Sequence, residues 1–175
     1  MARIIYKKDC KGQNRLDCIE GIEIELLNGQ KALIYPKYAE RALLEDKKID
    51  KWAAPKETEI EALKVEDTYN KTRQLIILGS PAALWVDQFF SDEHNSYFKL
   101  PSLLAVLEVH YQKKDIDALA ETIEGADLLQ YFDSDIWSCS RYNELSNWII
   151  YSSCGLVSSD FLYNLNLSIP VVLYR

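Results

Sequence analysis

Histidine is scarce in this 175-residue sequence, which contains only His94 and His110, and none of the four cysteines belongs to a Cys-x-x-Cys pair. A structural zinc site needs four closely placed ligands, and a catalytic triad needs a histidine beside its nucleophile. The sequence therefore predicts neither a metal site nor a histidine-based active site, and we expect no cofactor. The cysteines, at positions 10, 18, 139 and 154, are expected to be reduced thiols.

Basic residues are outnumbered, because 20 Lys and Arg stand against 27 Asp and Glu and the formal net charge is −7. Binding to nucleic acid needs a concentrated basic surface, so we expect no nucleic-acid partner. There is no apolar run of about 18 residues, which predicts no membrane insertion. The opening segment MARIIYKKDCKG lacks the apolar core of a secretory signal. A cytoplasmic location is therefore expected, with a virion or cell surface reached only by another route.

The overall composition is that of a globular protein, with 48% hydrophobic and 27% charged residues. The length suits one domain with a modest extension. At this size roughly 70% of the unfolded chain's surface can be buried, so no disulfide or metal is needed for stability. Composition leaves the oligomeric state open.

A β-hairpin is predicted near the N-terminus. Residues Ile22 to Leu26 alternate apolar and acidic side chains, which is typical of a strand with one face in water. Asn28-Gly29 follows and favours a type I′ turn, and residues Lys31 to Tyr35 supply the returning strand.

Helical spacing is predicted next, over residues Lys37 to Glu45. The polar stretch Asp46 to Asn70 is interpreted as a long connection or peripheral insertion that contains a short helix around Glu57 to Val65. The apolar run Leu75 to Leu78 is interpreted as a buried strand, and Ser80-Pro81 as the start of a helix.

Two further helices and a series of strands are predicted in the second half of the chain. Ser102 can cap a helix with Leu103, Leu107 and Tyr111 on one stripe. Asp115 can cap another, which Gly125 would end. After Asp133 the helical spacing disappears, so the remaining chain is predicted to form strands.

An ordered set of short motifs accompanies these elements, namely Leu100-Pro101-Ser102, Ile136-Trp137-Ser138-Cys139-Ser140, Asn147-Trp148-Ile149-Ile150-Tyr151, Cys154-Gly155 and Ile169-Pro170-Val171. In this order, from about Ala82 onward, they resemble a bacterial C-type-lectin-like family, the Fibrobacter succinogenes major paralogous domain and its relatives of unknown function. The chain departs from the family pattern at Ile169 and Val172, where the family has arginines.

The resemblance implies an α+β fold in which two or three helices pack on small, twisted antiparallel sheets. Residues 72–175 would form this C-type-lectin-like domain, and residues 1–71 an N-terminal hairpin and partly helical extension. Ligand recognition in the superfamily commonly uses one surface of strands and long loops. The calcium motifs of sugar-binding animal lectins are absent from the sequence, so calcium-dependent glycan binding is not expected.

Three sets of residues suggest chemistry but have simpler explanations. Asp133 and Asp135 could act as an acid–base pair or hold calcium, but a turn before the Trp137 strand explains them better. Cys139 and Cys154 resemble the redox pair of the formylglycine-generating branch of the superfamily, although we interpret them as small buried residues. Gly79-Ser80-Pro81 departs from a nucleophile elbow, which needs glycine on both sides of the serine.

A binding surface is predicted on the C-terminal strands. If Trp148 and Ile150 point inward, alternation directs Asn147, Ile149 and Tyr151 outward. Tyr, Ser and Asn side chains are typical of adaptable binding surfaces. The predicted ligand-binding residues are Arg141, Tyr142, Asn143, Glu144, Asn147, Tyr151, Asp160 and Tyr163.

The residues and the family resemblance together favour a non-catalytic recognition protein for an unidentified protein or glycan ligand, and the resemblance allows a phage or mobile-element origin. Two alternatives stay open. One is an enzyme related to the formylglycine-generating oxidases, and the other is a structural subunit of a phage or cell-surface assembly.

Overall fold

A computed structural model describes residues 2–10, 12–44, 55–64 and 68–175. Within these ranges, no helix is both long and apolar enough to cross a bilayer. The strands are β1 (Arg3–Tyr6), β2 (Ile19–Glu25), β3 (Lys31–Ile34), β4 (Ala39–Ala42), β5 (Phe90–Ser91), β6 (Ser96–Tyr97), β7 (Ile136–Arg141), β8 (Ser146–Ile150), β9 (Val157–Phe161), β10 (Leu165–Ser168) and β11 (Val171–Tyr174). The α-helices are α1 (Glu59–Ala62), α2 (Thr68–Ile77), α3 (Pro81–Val86), α4 (Leu103–Tyr111) and α5 (Lys113–Ala120). Short 3₁₀ helices cover Leu16–Cys18 and Leu129–Tyr131.

Within these described ranges, the molecule is a mixed α+β structure with three small sheets. The first has the order β1-β2-β3-β11, and all its pairs are antiparallel. The second has the order β4-β10-β7-β8-β9, where β10 and β7 are parallel and the other pairs antiparallel. The third is the two-stranded β5–β6 ribbon. Strands from residues 1–71 and from residues 72–175 share both of the larger sheets.

The predicted N-terminal hairpin is confirmed as the β2–β3 pair, but its turn differs from the prediction. The Gly29 amide donates to the Leu26 carbonyl, and the Leu26 amide donates to the Gln30 carbonyl. Gly29 has a φ of +79°, whereas Asn28 is not among the described non-glycine residues with positive φ. A type I′ turn needs positive φ at both central residues, so this is a three-residue loop that ends in a glycine bulge.

Of the water-exposed face predicted on β2, only Glu25 at the end of the strand is exposed. Glu23 is buried, and it pairs with Arg3 at 2.8 Å and with Lys31 at 3.4 Å. Leu33, Phe98 and Val172 form a small apolar cluster on the outer side of this sheet. At Glu23 the alternation in the sequence therefore reflects a buried, paired carboxylate and not a carboxylate in water.

The helix predicted over residues Lys37 to Glu45 is wrong within the described residues, and Glu45 lies outside them. The segment instead contains β4, which pairs with β10 from Ala39↔Ser168 to Ala42↔Leu165. The Trp137 indole Nε1 donates to the Arg41 carbonyl at 2.9 Å. Helix propensity is a weak preference that such tertiary partners override.

The strand predicted over Leu75 to Leu78 is also wrong, because Leu75 to Ile77 form the last part of helix α2. Leu75 is fully buried, whereas Ile77 is exposed, which is the one-sided burial of a surface helix. The short helix expected around Glu57 to Val65 is present as α1, with Val65 outside the described residues. Most of the polar connection from Asp46 also lies outside them.

Two apolar cores lie on opposite faces of the five-stranded sheet. The larger core contains Trp148 and Ile150 of β8, the inner residues of β2 and most of the buried residues of α4. The second core contains Ile149 of β8 with residues of α2 and α3. Strand β8 is therefore buried on both of its faces.

The helix starts at Ser80 and Ser102 are confirmed. The Ser80 Oγ accepts a hydrogen bond from the Ala83 amide, and the Ser102 Oγ accepts one from the Ala105 amide, each at 3.2 Å. Helix α5 begins before Asp115, at Lys113, so the predicted Asp115 cap is wrong. The change to strands after Asp133 is confirmed by β7 to β11.

The Ser102 cap leads to a stability prediction. Ser102→Ala should lower the free energy of unfolding by about 1 kcal/mol, because the Ala105 amide loses its acceptor in a buried position. Ser153→Ala, at an exposed turn residue, should change it by less than about 0.5 kcal/mol. Urea unfolding of both variants checks this, and equal effects would show that the cap does not hold the start of α4.

Candidate functional site

The predicted site residues lie on the β7–β8–β9 part of the five-stranded sheet, but their side chains do not share one surface. Asn147 is fully buried, and its Nδ2 donates to the Ser138 carbonyl. The expectation that Asn147 and Ile149 point into solvent is therefore wrong. Strand alternation is correct for β8, but helices α2 and α3 cover the face that alternation assigned to water.

Asp160 holds a turn together. Its carboxylate accepts hydrogen bonds from the side-chain amides of Asn164 at 2.6 Å and Asn166 at 2.8 Å, and from the Phe161 amide at 2.8 Å. These bonds fix the connection between β9 and β10. The Asp160 carboxylate is therefore largely used within the chain.

The loop between β7 and β8 is also internally bonded. The Arg141 Nε donates to the Asn143 carbonyl at 2.9 Å, and the Asn143 Oδ1 accepts from the Leu145 amide at 2.8 Å. Glu144 pairs with Lys56 at 2.7 Å, which lowers the pKa of that carboxyl group. Because both partners are exposed, this ion pair contributes little to stability.

Tyr142 and Tyr163 are the two predicted residues that present a ring to solvent at this end of the sheet. The exposed fraction is 42% for Tyr142 and 48% for Tyr163. Tyr163 stacks on Phe161, with ring centroids 5.4 Å apart and planes at 7°, and Phe161 is itself 47% exposed. Phe161 was not predicted, because nothing in the run Val157 to Phe161 distinguishes its aromatic ring from a core residue.

These three rings lie on one face of the sheet, as the register shows. Phe161 pairs with Ser146, and Ser159 pairs with Trp148. Side chains at Ser146, Trp148, Ser159 and Phe161 therefore point the same way. Tyr142 packs edge-to-face on Trp148, with centroids 4.7 Å apart. We call Tyr142, Phe161 and Tyr163 the aromatic face.

Tyr151, the one predicted site residue not yet described, lies at the opposite end of β8. It follows Ile150, which pairs with Val157, whereas Phe161 pairs with Ser146. Five residues of strand span roughly 17 Å, so Tyr151 and the aromatic face do not meet. Of the eight predicted residues, the structure therefore brings only Tyr142 and Tyr163 together as exposed rings.

Comparisons with protein-family models, with curated proteins and with solved structures found no match to this chain.

A concave surface elsewhere on the molecule was missed by sequence reasoning. A cleft of about 630 Å³ is lined by residues 6–10, Glu20, Asp92 and Glu93. The Ser91 Oγ donates to Glu20 at 2.7 Å, which ties the β5–β6 ribbon to β2 beside the cleft. The charges Lys7-Lys8-Asp9 and Asp92-Glu93 were visible in the sequence, but no pattern showed that these distant segments meet.

The remaining chemical candidates have structural explanations. Asp135 accepts a hydrogen bond from the Ser152 amide at 3.0 Å, and burial raises the pKa of its carboxyl group. Across the described part of the chain, no three His, Cys, Asp or Glu side chains are grouped in a way that could hold a metal ion.

Cys139 and Cys154 lie apart. Ile136 at the start of β7 pairs with Ile150 at the end of β8. From this pair, Cys139 lies three residues further along β7. Cys154 lies four residues further along the chain after β8, which runs in the opposite direction. Cys139 is buried in the second core, and burial raises the pKa of its thiol to about 12. Cys154 is exposed, so its interpretation as a buried residue is wrong.

Proposed function

We propose that this chain is a non-catalytic recognition protein of the C-type-lectin-like class, and that its aromatic face binds another protein. The observation that carries the proposal is the group of three half-exposed aromatic rings on one face of a sheet. Exposed apolar groups of this kind mark interaction sites, and tyrosine and other aromatic residues are enriched among the residues that dominate binding.

The rings are held in place before any ligand arrives. Phe161 and Tyr163 stack on each other, and the Asp160 carboxylate fixes the turn between them and β10. Tyr142 rests on Trp148, whose Nε1 donates to the Glu57 carbonyl at 2.8 Å. A rigid aromatic surface loses little conformational entropy on binding, which favours affinity.

A protein ligand fits this surface better than a glycan. Sugar hydroxyl groups need polar side chains with unused hydrogen-bonding capacity. Around the aromatic face, the Asn143 Oδ1 and the carboxylates of Glu144 and Asp160 already accept hydrogen bonds or pair within the chain. Leu145, which is exposed in the adjoining turn, adds apolar area that suits a protein surface.

The order of elements supports the proposed class. Helix α4 follows Leu100-Pro101-Ser102 and packs on β7 and β8, and the Trp137 strand comes after helix α5. The C-terminal strand β11 returns to pair with β3 of the N-terminal hairpin. Helices α4 and α5 with small, mostly antiparallel sheets are consistent with the α+β fold that the family resemblance implies.

The test begins with two defined probes, a displayed library of random peptides and a glycan array. We expect peptides to be selected, and Phe161→Ala and Tyr163→Ala each to weaken peptide binding by about 2 kcal/mol, or roughly thirtyfold in Kd. Tyr111→Ala is the matched control, because Tyr111 is an exposed aromatic residue away from the aromatic face. Its neighbour His110 lies against Gly155, which is beyond the opposite end of β8.

Titration calorimetry of the three variants with the tightest selected peptide measures the difference. Selection of glycans alone would contradict the assignment of a protein ligand. Peptide binding that Tyr111→Ala weakens as much as Phe161→Ala would contradict the placement of the site.

A further inference from the structure

The β1–β2 hairpin brings together two cysteines that are distant from the aromatic face. Strands β1 and β2 pair up to Tyr6↔Ile19, and the Lys7 amide then donates to the Cys18 carbonyl at 3.0 Å. The Cys10 amide donates to the Lys7 carbonyl at 3.0 Å, so a turn carries Cys10 back toward β2. The backbone of this turn therefore places Cys10 beside Cys18.

The two thiols differ in their access to solvent. Cys18 is buried, with 3% of its surface exposed, and its Sγ donates to the Gln13 Oε1 at 3.5 Å. Its pKa is raised by the hydrogen bond with Cys10 and by burial. Cys10 is half-buried and lines the cleft beside Lys7 and Lys8. An accessible thiol thus stands beside a protected one, which is the arrangement of an attacking and a resolving cysteine.

We propose that Cys10 and Cys18 form a reversible disulfide at the edge of the cleft, by exchange with a small-molecule disulfide. The thiolate of Cys10 attacks one sulfur of the small disulfide, and the other sulfur leaves as a thiolate. Cys18 then loses its proton, and its thiolate attacks the Cys10 sulfur and releases the second small thiol. Two protein thiols are oxidised, and one small disulfide is reduced to two thiols.

Oxidation changes the wall of the cleft and the stability of the chain. The Sγ of Cys18 loses its proton, so its hydrogen bond to Gln13 is lost. The loop between the two cysteines becomes covalently closed, which restricts the unfolded chain. We expect the melting temperature of the oxidised protein to exceed that of the reduced protein by roughly 5 °C.

The test equilibrates the whole chain with glutathione buffers that range from fully reduced to fully oxidised. Lys11 and Arg15 separate the two cysteines, so trypsin places Cys10 and Cys18 on different peptides. Mass spectrometry without reduction should find these two peptides joined, with the loss of two hydrogen atoms. The joined form should appear at a glutathione disulfide concentration at least roughly tenfold lower in folded than in urea-unfolded protein, because the fold holds the thiols together.

Single variants separate this pair from the other cysteines. Cys154→Ser should form the joined peptide as the unchanged protein does. Cys18→Ser should leave Cys10 as a lasting mixed disulfide with glutathione. The inference is overturned if the unchanged protein retains both thiols, keeps glutathione on Cys10, or joins either cysteine to another position. It is also overturned if folding gives no advantage over urea.

Discussion

Gly21→Ala is expected to lower the free energy of unfolding by about 3 kcal/mol, or the melting temperature by roughly 10 °C. Gly21 is buried in β2, next to the chain of β3. A Cβ atom at this position would lie 2.6 Å from the carbonyl oxygen of Ile34 and 3.0 Å from the side chain of Leu33. The nearer atom is backbone, so the sheet itself would have to move.

Gly29→Ala is the matched control for this change. Gly29 lies in the turn of the same hairpin with a φ of +79°, and a Cβ there would meet nothing within 4 Å. Its replacement should cost only the strain of a left-handed residue, about 1 kcal/mol. Chemical unfolding of both variants measures the difference. If Gly21→Ala costs no more than Gly29→Ala, the close approach of β2 and β3 described here is incorrect.

Trp148→Ala is expected to have the other large effect, a loss of about 4 kcal/mol in the free energy of unfolding. Trp148 packs in the larger core and makes an edge-to-face contact with the ring of Tyr142. Its removal leaves a cavity and frees Tyr142 to move, so peptide binding at the aromatic face should also weaken. Urea unfolding and titration calorimetry, at a temperature where the variant remains folded, measure the two effects.

Trp148→Phe separates packing from hydrogen bonding. The phenyl ring retains much of the apolar contact but removes the Nε1 donor to the Glu57 carbonyl. We expect a loss of about 1 to 2 kcal/mol and nearly unchanged peptide binding. A loss as large as that of Trp148→Ala would mean that anchoring of the 55–64 segment, and not ring packing, is the main role of Trp148.

The sequence predicted correctly those helices and strands that are determined by residues close to them in the chain. The hairpin of β2 and β3 and the starts of α3 and α4 depend on a glycine turn and on serine caps a few residues away. Strand β4 depends instead on β10, which lies more than a hundred residues later in the chain. Helical spacing in Lys37 to Glu45 contains no information about that partner, which explains the wrong prediction.

The site was predictable only in part for the same reason. The Ser, Asn and Tyr content of the C-terminal strands drew attention to Tyr142 and Tyr163, whose rings the structure places at the surface. The burial of Asn147 depends on α2 and α3, which precede it by many residues and cover its face of the sheet. The exposure of Phe161 reflects its position at the end of β9, which pairs with β8 on one side only among the described residues.

Hydrogen–deuterium exchange of the free chain and of its complex with the tightest selected peptide can locate the surface that binds the ligand. If the aromatic face binds the ligand, amides at 142–146 and 159–164 should exchange more slowly in the complex, while those at 6–10 and 91–94 should not change. Protection confined to residues 6–10 and 91–94 would instead place the ligand in the cleft and contradict the claim.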